Sequence, residues 1–305
     1  MNTRNAERRF IAVFLAPALL LFSAFVALPA ANVLMYSFQR WDGLTTPQWA
    51  GLDNFARLFS ASGLFTAALW HNLVLLFGAG TLTMALALFF AAALHRRARG
   101  AAIYRIAFFF PNVIASVAVA LLWILLYSTT SFGMINGILG WFQTTMHAAG
   151  IPWPNIDLPY AFFDAKNLII SMIPLIVWTS TGFYMILFLA AMQGIPEEYY
   201  EAAELDGATP VAQFFNITLP MIRDVITVGL MFLVISILKF FDPIWVVENQ
   251  RPAADAHVLS TLLYQKSFSE YRVGEGAAVA VLQFLFVFAA ALISLRLARR
   301  DRLEY

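Results

Sequence analysis

The chain has 305 residues, 61% of them hydrophobic and only 12% charged, with a net charge of +1. A soluble domain carries about 25% charged residues, so this composition belongs to a membrane protein. The near balance of charge also excludes the strongly basic face that nucleic-acid binding requires. The absence of cysteine excludes disulfides, thiolate metal sites and cysteine nucleophiles. His71, His95, His147 and His257 are far apart, show no paired ligand spacing and read as surface or interfacial residues. No metal and no cofactor is expected.

Stretches of about 20 mostly apolar residues mark membrane crossings, and six of them predict an all-α membrane protein with six transmembrane helices. The first covers about 10–38. It follows the basic segment MNTRNAERRF but runs past the apolar core of about 7–15 residues found in a signal peptide, which predicts a retained helix. A loop over 39–65 with Trp41 and Trp49 leads to the second span at about 66–94. The third follows at about 103–127, with Pro111 inside it. The loop over 128–167 contains Pro152, Pro154 and Pro159, which preclude a long continuous helix there. The fourth, fifth and sixth spans lie at about 168–193, 222–241 and 277–298. With no separate soluble segment or low-complexity linker, residues 1–305 read as a single transmembrane domain.

Lys and Arg set the expected orientation. Arg4, Arg8 and Arg9 precede the first span; Arg96, Arg97, Arg99 and Arg105 lie between the second and third. Arg223 opens the fifth, and Arg296, Arg299, Arg300 and Arg302 follow or end the sixth. Arg40, Arg57, Lys166, Arg251, Lys266 and Arg272 fall on the opposite side, with Lys239 near a span end. Both termini are therefore expected in the cytoplasm, as an even number of spans allows.

Between the fourth and fifth spans lies PEEYYEAAELDGATPVAQFFNITLP, residues 196–220. Glu197, Glu198, Glu201, Glu204 and Asp206 stand here without a Lys or Arg among them, on the side where loops are otherwise basic. Pro196 suits a first helical turn, and Glu197 and Glu198 suit the positive end of its dipole. Gly207 is a C-terminal stop. Thr209-Pro210 reads as a second N-cap followed by proline at the first helical position. Val211, Phe214, Phe215 and Leu219 then share one face, and Pro220 kinks the chain into the next span. The pattern predicts a helix, an elbow and an amphipathic helix outside the bilayer. Interfacial helices normally carry Lys and Arg toward anionic lipid, so the acid favours docking on a cytoplasmic partner over a merely solvated stitch.

Glu201-Ala202-Ala203, Gly207 and Ile217-x-Leu219-Pro220 keep the spacing EAA-x3-G-x9-I-x-LP. This resembles the EAA motif of ABC importer permeases. ARGAAIYRIAFFFPNVIASVAVALLW (98–123) resembles the arginine-led third span of sugar permeases, WAGLDNFARLF (49–59) their outer-loop stretch, and FDPIW (241–245) the approach to their last outer loop. The similarity covers nearly the whole chain and points to the carbohydrate-type permeases of the maltose and glycerol-phosphate importers. One feature departs from that family. Its Thr-x-Gly-Gly-Pro turn is replaced by Glu248-Asn249-Gln250-Arg251-Pro252, which keeps only the proline.

The resemblance implies one half of a heterodimeric pore in the bacterial inner membrane. A second permease subunit would complete the pore, two ATPase subunits would dock inside, and a solute-binding protein would deliver the cargo outside. Glu201 would meet a basic residue of the ATPase, a charge-assisted contact worth about 1.5–3 kcal/mol. Ala202, Ala203, Ile217, Leu219 and Pro220 complete that segment, and Gly207 makes its elbow. The chain has no phosphate loop of its own, because Lys166, Lys239 and Lys266 follow Ala165, Leu238 and Gln265 rather than glycine. ATP hydrolysis therefore falls to another subunit, and this chain is not an enzyme.

Intramembrane polar residues are functional candidates. In maltose-type permeases the sugar is held by the spans flanking the coupling segment, which implies a substrate path through Trp178, Thr179, Phe183, Ser236, Lys239 and Phe240. Aromatic faces and hydroxyls suit a sugar. The plainer readings are that Ser and Thr pack at helix contacts, that Lys239 pairs with Asp242, and that Asn112 satisfies a carbonyl freed by Pro111. A stand-alone secondary transporter would show broken helices in internal repeats and buried acids. An intramembrane enzyme would need a Ser/His pair, a metal-binding HExxH or paired aspartates within the spans. A polyol or glycerol-phosphate cargo remains the alternative to a sugar.

Overall fold

A computed structural model describes residues 3–60, 63–95, 100–130 and 132–298. The side chains of Arg4, Arg8 and Arg9, and all of Arg96, Arg97, Arg99, Arg299, Arg300 and Arg302, lie outside the described residues. In chain order the helices are α1 (Thr3–Phe22), α2 (Leu28–Tyr36), α3 (Asp53–Ser60), α4 (Leu64–His95), α5 (Ala101–Val113) and α6 (Ser116–Leu126). There follow α7 (Met134–Ala148), α8 (Leu168–Gln193), α9 (Glu197–Leu205), α10 (Pro210–Gln213) and α11 (Leu219–Met221). The last are α12 (Arg223–Leu238), α13 (Asp242–Val247), α14 (Leu259–Tyr264) and α15 (Val273–Ala298). A short antiparallel ribbon pairs β1 (Gln39–Arg40) with β2 (Gln48–Trp49).

Among the described residues, Phe10–Tyr36, Leu64–His95, Leu168–Gln193, Arg223–Val247 and Val273–Ser294 are long and apolar enough to cross a membrane. A further crossing exists only if α5 and α6 are taken together, and those two meet at 96°. The all-α membrane architecture expected of the sequence is therefore present, but the third span is not one straight helix. Ile114 and Ala115 are extended, with ψ of 137° and 132°. Pro111 weakens the helix just ahead of them, since it offers no N–H to the preceding turn and its ring crowds that carbonyl.

The chain divides into two compact units, Met1–Phe65 with Leu262–Leu285, and Thr66–Thr261 with Phe286–Tyr305. In the second unit α8 is the central helix: Leu168, Met172, Met185, Phe188, Leu189 and Met192 are buried, with Leu75, Ala79, Ala87 and Ala91 of α4 in the same core. Lipid tails are as apolar as leucine, so such a core is held by close packing rather than by escape from water. Gly182 shows how close. A Cβ there would lie 1.9 Å from the Phe108 carbonyl oxygen, so α5 rests its backbone directly on α8.

In the first unit the GLDNF stretch acts as a clamp. Asn54, 2% exposed, donates through Nδ2 to the carbonyls of Ser37 at 2.9 Å and Gln39 at 2.8 Å. These bonds tie the start of α3 to the ribbon and satisfy one carbonyl of β1 and one just before it.

One expectation is corrected here. His257 is not interfacial: it is 1% exposed, its Nδ1 lies 3.2 Å from Thr261 Oγ1, and its carbonyl oxygen is 2.7 Å from His71 Nδ1. The glycine-free turn after α13 nevertheless follows a left-handed path. Asn249 and Gln250 themselves take φ of 50° and 63°, and the Gln250 N–H donates to the Trp245 carbonyl at 2.8 Å.

Candidate functional site: the acidic helix and a cavity along α8 and α12

The acidic segment forms the helix–elbow–helix that its sequence predicts. Pro196 is the N-cap of α9 rather than its first helical residue, with ψ of 136°. At the other end Gly207 takes φ of 79°. Its N–H donates to the Glu204 carbonyl at 3.0 Å, and that of Ala208 to the Ala203 carbonyl at 2.9 Å. This pair of bonds is the Schellman stop, which a left-handed residue makes possible. Thr209 Oγ1 then accepts from the Ala212 N–H at 3.3 Å to open α10. A π-helical turn over Phe214–Thr218 leads to α11, and the chain bends at Ile222 before α12.

Glu197, Glu198, Glu201, Glu204 and Asp206 are all exposed, and Glu201 has no ion-pair partner among the described residues. Leu205 beside them is 90% exposed. Ala202 is exposed, as is Pro220, while Ala203, Ile217 and Leu219 are half-buried. Tyr200 joins α9 to the following run, its hydroxyl 2.9 Å from Thr218 Oγ1. The expected apolar face is divided: Phe214, Phe215, Val211 and Leu219 line a cavity of 560 Å³ with Leu88 and Phe89 of α4. Val211 and Phe215 remain 66% and 59% exposed.

The polar residues of the two flanking spans meet in two cavities. One of 320 Å³ is lined by residues that include Ser180, Phe183, Tyr184, Ser236 and Asn112. The other, of 350 Å³, includes Thr179, Ser236, Lys239, Phe240, Asp242 and Asn112. Asn112 and Ser236 line both, so the cavities adjoin. Thr179, Phe183, Ser236, Lys239 and Phe240 are thus brought together. Trp178 lines neither cavity and instead meets Trp123 edge-on at 6.5 Å.

The bend of the third span adds residues that sequence reading did not place here. Asn112 does not turn back onto the α5 backbone; its side chain lines the cavities. Ser116, at the start of α6, donates to the Asp242 carboxylate. Asp242 and Lys239 form no ion pair, so the helical spacing that suggested one is misleading. The chain leaves α-helical geometry between them, as Phe241 has φ of −138° and ψ of −65°. Carbonyls freed at the end of α12 must find donors, since lipid supplies none. Asn72 Nδ2 donates to the Ile237 carbonyl at 2.8 Å, and Ser260 Oγ to that of Leu238 at 2.9 Å. The breaks after α5 and after α12 therefore open onto the same cavity, with amide, hydroxyl, ammonium and phenyl groups around it.

Comparison with known proteins decides what this arrangement belongs to. Residues 83–300 match the family described as the binding-protein-dependent transport system inner membrane component. The chain is a member of that permease family. It is 31% identical to the probable ABC transporter permease protein YesP of Bacillus subtilis, over 92% of this chain and 87% of that protein. It is also 31% identical to the diacetylchitobiose uptake system permease protein NgcF of Streptomyces coelicolor, over 92% of this chain and 80% of that protein. A relative at 28% identity is the sn-glycerol-3-phosphate transport system permease protein UgpA of Pectobacterium atrosepticum, over 94% and 93%. The fold is shared with a solved bacterial ABC transporter involved in import of the acidic polysaccharide alginate, at TM-score 0.80 and 23% identity over 97% of this chain and 98% of that one. A second structure of the alginate transporter, in complex with a periplasmic protein bound to alginate pentasaccharide, matches at TM-score 0.77, 23% identity, and 97% and 96% coverage.

The permease is thus a multi-pass inner-membrane subunit of an ABC importer, and it is non-catalytic. The broken helices that sequence reasoning reserved for secondary transporters are present at α5–α6 and α12–α13, so that criterion does not separate the two classes. Family membership does.

Proposed function

We propose that this permease carries a sugar or sugar derivative across the inner membrane, coupled to ATP hydrolysis on a separate subunit through the segment 196–220. The observation that carries the coupling reading is α9 itself. It is a helix whose carboxylates are all exposed and whose end is fixed by a left-handed glycine, and it lies between two candidate spans. In this reading both termini and α9 are cytoplasmic, and residues 1–305 act as one transmembrane domain. Two ATPase subunits bind α9 and its counterpart on a second permease subunit, and a solute-binding protein docks on the opposite side. Glu201 pairs with a basic residue of the ATPase. Gly207 keeps α9 at a defined angle to α10, with Ala202, Ala203, Ile217, Leu219 and Pro220 supporting the contact.

Carbohydrate cargo is supported by the cavity along α8 and α12. Thr179, Ser236 and Asn112 offer hydroxyl and amide groups, and Phe183 and Phe240 offer faces on which sugar C–H groups stack. An anionic polyol such as a glycerol phosphate is the second reading. It rests on Lys239, which lines the same cavity and has no ion-pair partner among the described residues.

Glu201→Lys tests the coupling. The variant is expected in the membrane at normal abundance, because Glu201 is exposed, but with ATPase co-purification and uptake both lost. Normal uptake with the ATPase still bound would remove Glu201 from the coupling role.

A further inference from the structure

In α7 the polar side is turned onto the protein and the apolar side away from it. Asn136, 8% exposed, donates through Nδ2 to the Ser128 carbonyl at 3.0 Å and the Tyr160 carbonyl at 3.1 Å. Its Oδ1 accepts from the Tyr160 N–H at 2.8 Å. Two turns on, Gln143 Oε1 accepts from the Ile156 N–H at 3.0 Å. One turn further, His147 Nε2 lies 3.1 Å from the Trp153 carbonyl oxygen. Phe142 meets the Trp153 ring edge-on at 4.8 Å. Residues 153–160 thus cover this side of the helix and satisfy its polar groups.

The opposite side has no such cover. Met134, Ile138 and Trp141 share one stripe at helical spacing and are 53%, 52% and 67% exposed. Phe132, in the turn ahead of the helix, is 87% exposed. Thr144 and Thr145 extend the stripe, but their hydroxyls are folded back. Thr144 donates to the Gly140 and Trp141 carbonyls at 2.9 Å, and Thr145 to that of Trp141 at 2.7 Å. The indole N–H of Trp141 is the only donor these side chains have left. Residues 106–156 contain no Asp, Glu, Lys or Arg. A helix lying against water shows the reverse arrangement, with its apolar side in and its polar side out.

We infer that α7 lies in the membrane surface, with Met134, Ile138 and Trp141 sunk into the boundary between lipid headgroups and acyl chains. Phe132 anchors the turn that leads into it. Only residues 127–133 separate α7 from α6, so the helix starts close to where the chain leaves the bilayer. A protein partner would form about one hydrogen bond per 100–200 Å² and meet a polar rim, whereas this stripe offers one N–H and no charge. Lipid asks for neither. Tryptophan suits that depth, its ring in the apolar layer and its N–H among the headgroups. Interfacial helices with a bare polar side carry Lys and Arg there. The polar side of α7 is closed by residues 153–160, so this anchor works without basic residues and without anionic lipid. The placement holds in either leaflet and for any cargo.

Because the chain has no cysteine, Ile138→Cys places a single environment-sensitive fluorophore on the stripe. The complete transporter, with its partner subunits, is studied in nanodiscs of phosphatidylcholine alone. Lipid bearing a nitroxide near the headgroup should quench the fluorophore more than lipid bearing one at the acyl end, because such helices lie about 5–10 Å deep. Iodide added to the water should quench it little. The same fluorophore at Asn155→Cys, an exposed position on the segment that covers the polar side, should be quenched by iodide and not by lipid. Quenching at Ile138→Cys by iodide alone overturns the inference, since the stripe then faces water. Quenching by neither overturns it as well, since another subunit then covers the stripe. Trp141→Cys repeats the measurement one turn on, with the same outcomes, should the first variant fail to assemble.

Discussion

At the scale of single residues, Gly182 sets the approach of α5 to α8, and its role depends on a contact that no local pattern displays. The Phe108 carbonyl occupies the place where any other residue would put its first side-chain atom. Gly182→Ala must push the two helices apart, and overpacking of this kind costs about 1–3 kcal/mol. The expected result is a lower thermal midpoint and lower yield of the detergent-purified protein; a midpoint equal to the parent's would contradict so close an approach. Glu197 and Glu198 at the start of α9 and the stop at Gly207 were legible in the sequence, because dipole and glycine-stop rules act within one or two turns, whereas Glu201, Ala202 and Ala203 were singled out only by their resemblance to a family motif. Asn112 and Ser116 were legible only as polar residues near a proline. Their place in the cavity depends on where the chain turns after Val113, which no rule about Pro111 specifies.

Among the elements, the turn after α13 shows how a departure from a family pattern is absorbed. Where the resemblance leads one to expect glycines, Asn249 and Gln250 accept left-handed backbone themselves, and the N–H of Gln250 still closes the turn onto Trp245. Asparagine tolerates that region and glutamine does so less readily. Gln250→Gly should therefore stabilise the protein by up to about 1 kcal/mol, partly offset by the greater freedom of glycine in the unfolded chain. Gln250→Pro, which fixes φ near −65° and removes the N–H, should destabilise it. Thermal unfolding of the two variants side by side checks the pair, and a fall for both would show that the glutamine side chain matters more than its backbone. The straight helices were predictable from apolar length alone: the expected 168–193 coincides with Leu168–Gln193. The bent pair α5–α6 was not, because hydropathy averages over a break that two extended residues create.

For the whole molecule, the ion network of the first unit joins residues 40–57 to residues 266–275, segments at opposite ends of the sequence. The hydrogen bond from Arg40, with the charge of Arg57, holds the Asp53 carboxyl below the usual carboxylate range despite some desolvation. Burial pushes Glu270 up, but hydrogen bonds from Lys266 and Gln265 and the charges of Lys266 and Arg272 outweigh it and leave it lowered. Both groups thus have depressed folded-state values, so their contribution is complete above the ordinary values of 3.8 and 4.5 and is lost as pH falls below these and through the lower folded-state values. The thermal midpoint should be flat from neutral pH to about 5 and decline below about 4.5, with a shallower decline for Glu270→Gln. A midpoint that rises on acidification would contradict the network's contribution.

By itself the sequence determined the membrane class, the apolar stretches, the acidic helix with its glycine stop, and the motif by which the family is recognised. Each of these is written in neighbouring residues, because hydropathy, capping and turn chemistry are short-range. Only the tertiary structure decided that the third span bends, that Asn112 and Ser116 join Thr179, Ser236 and Lys239 at one cavity, and that Asp242 meets Ser116 rather than Lys239. It alone showed that Arg40 and Arg272 belong to one ion network. These are relations between distant segments. They follow from the direction the backbone takes after a few non-helical residues and from how closely one helix can rest on another.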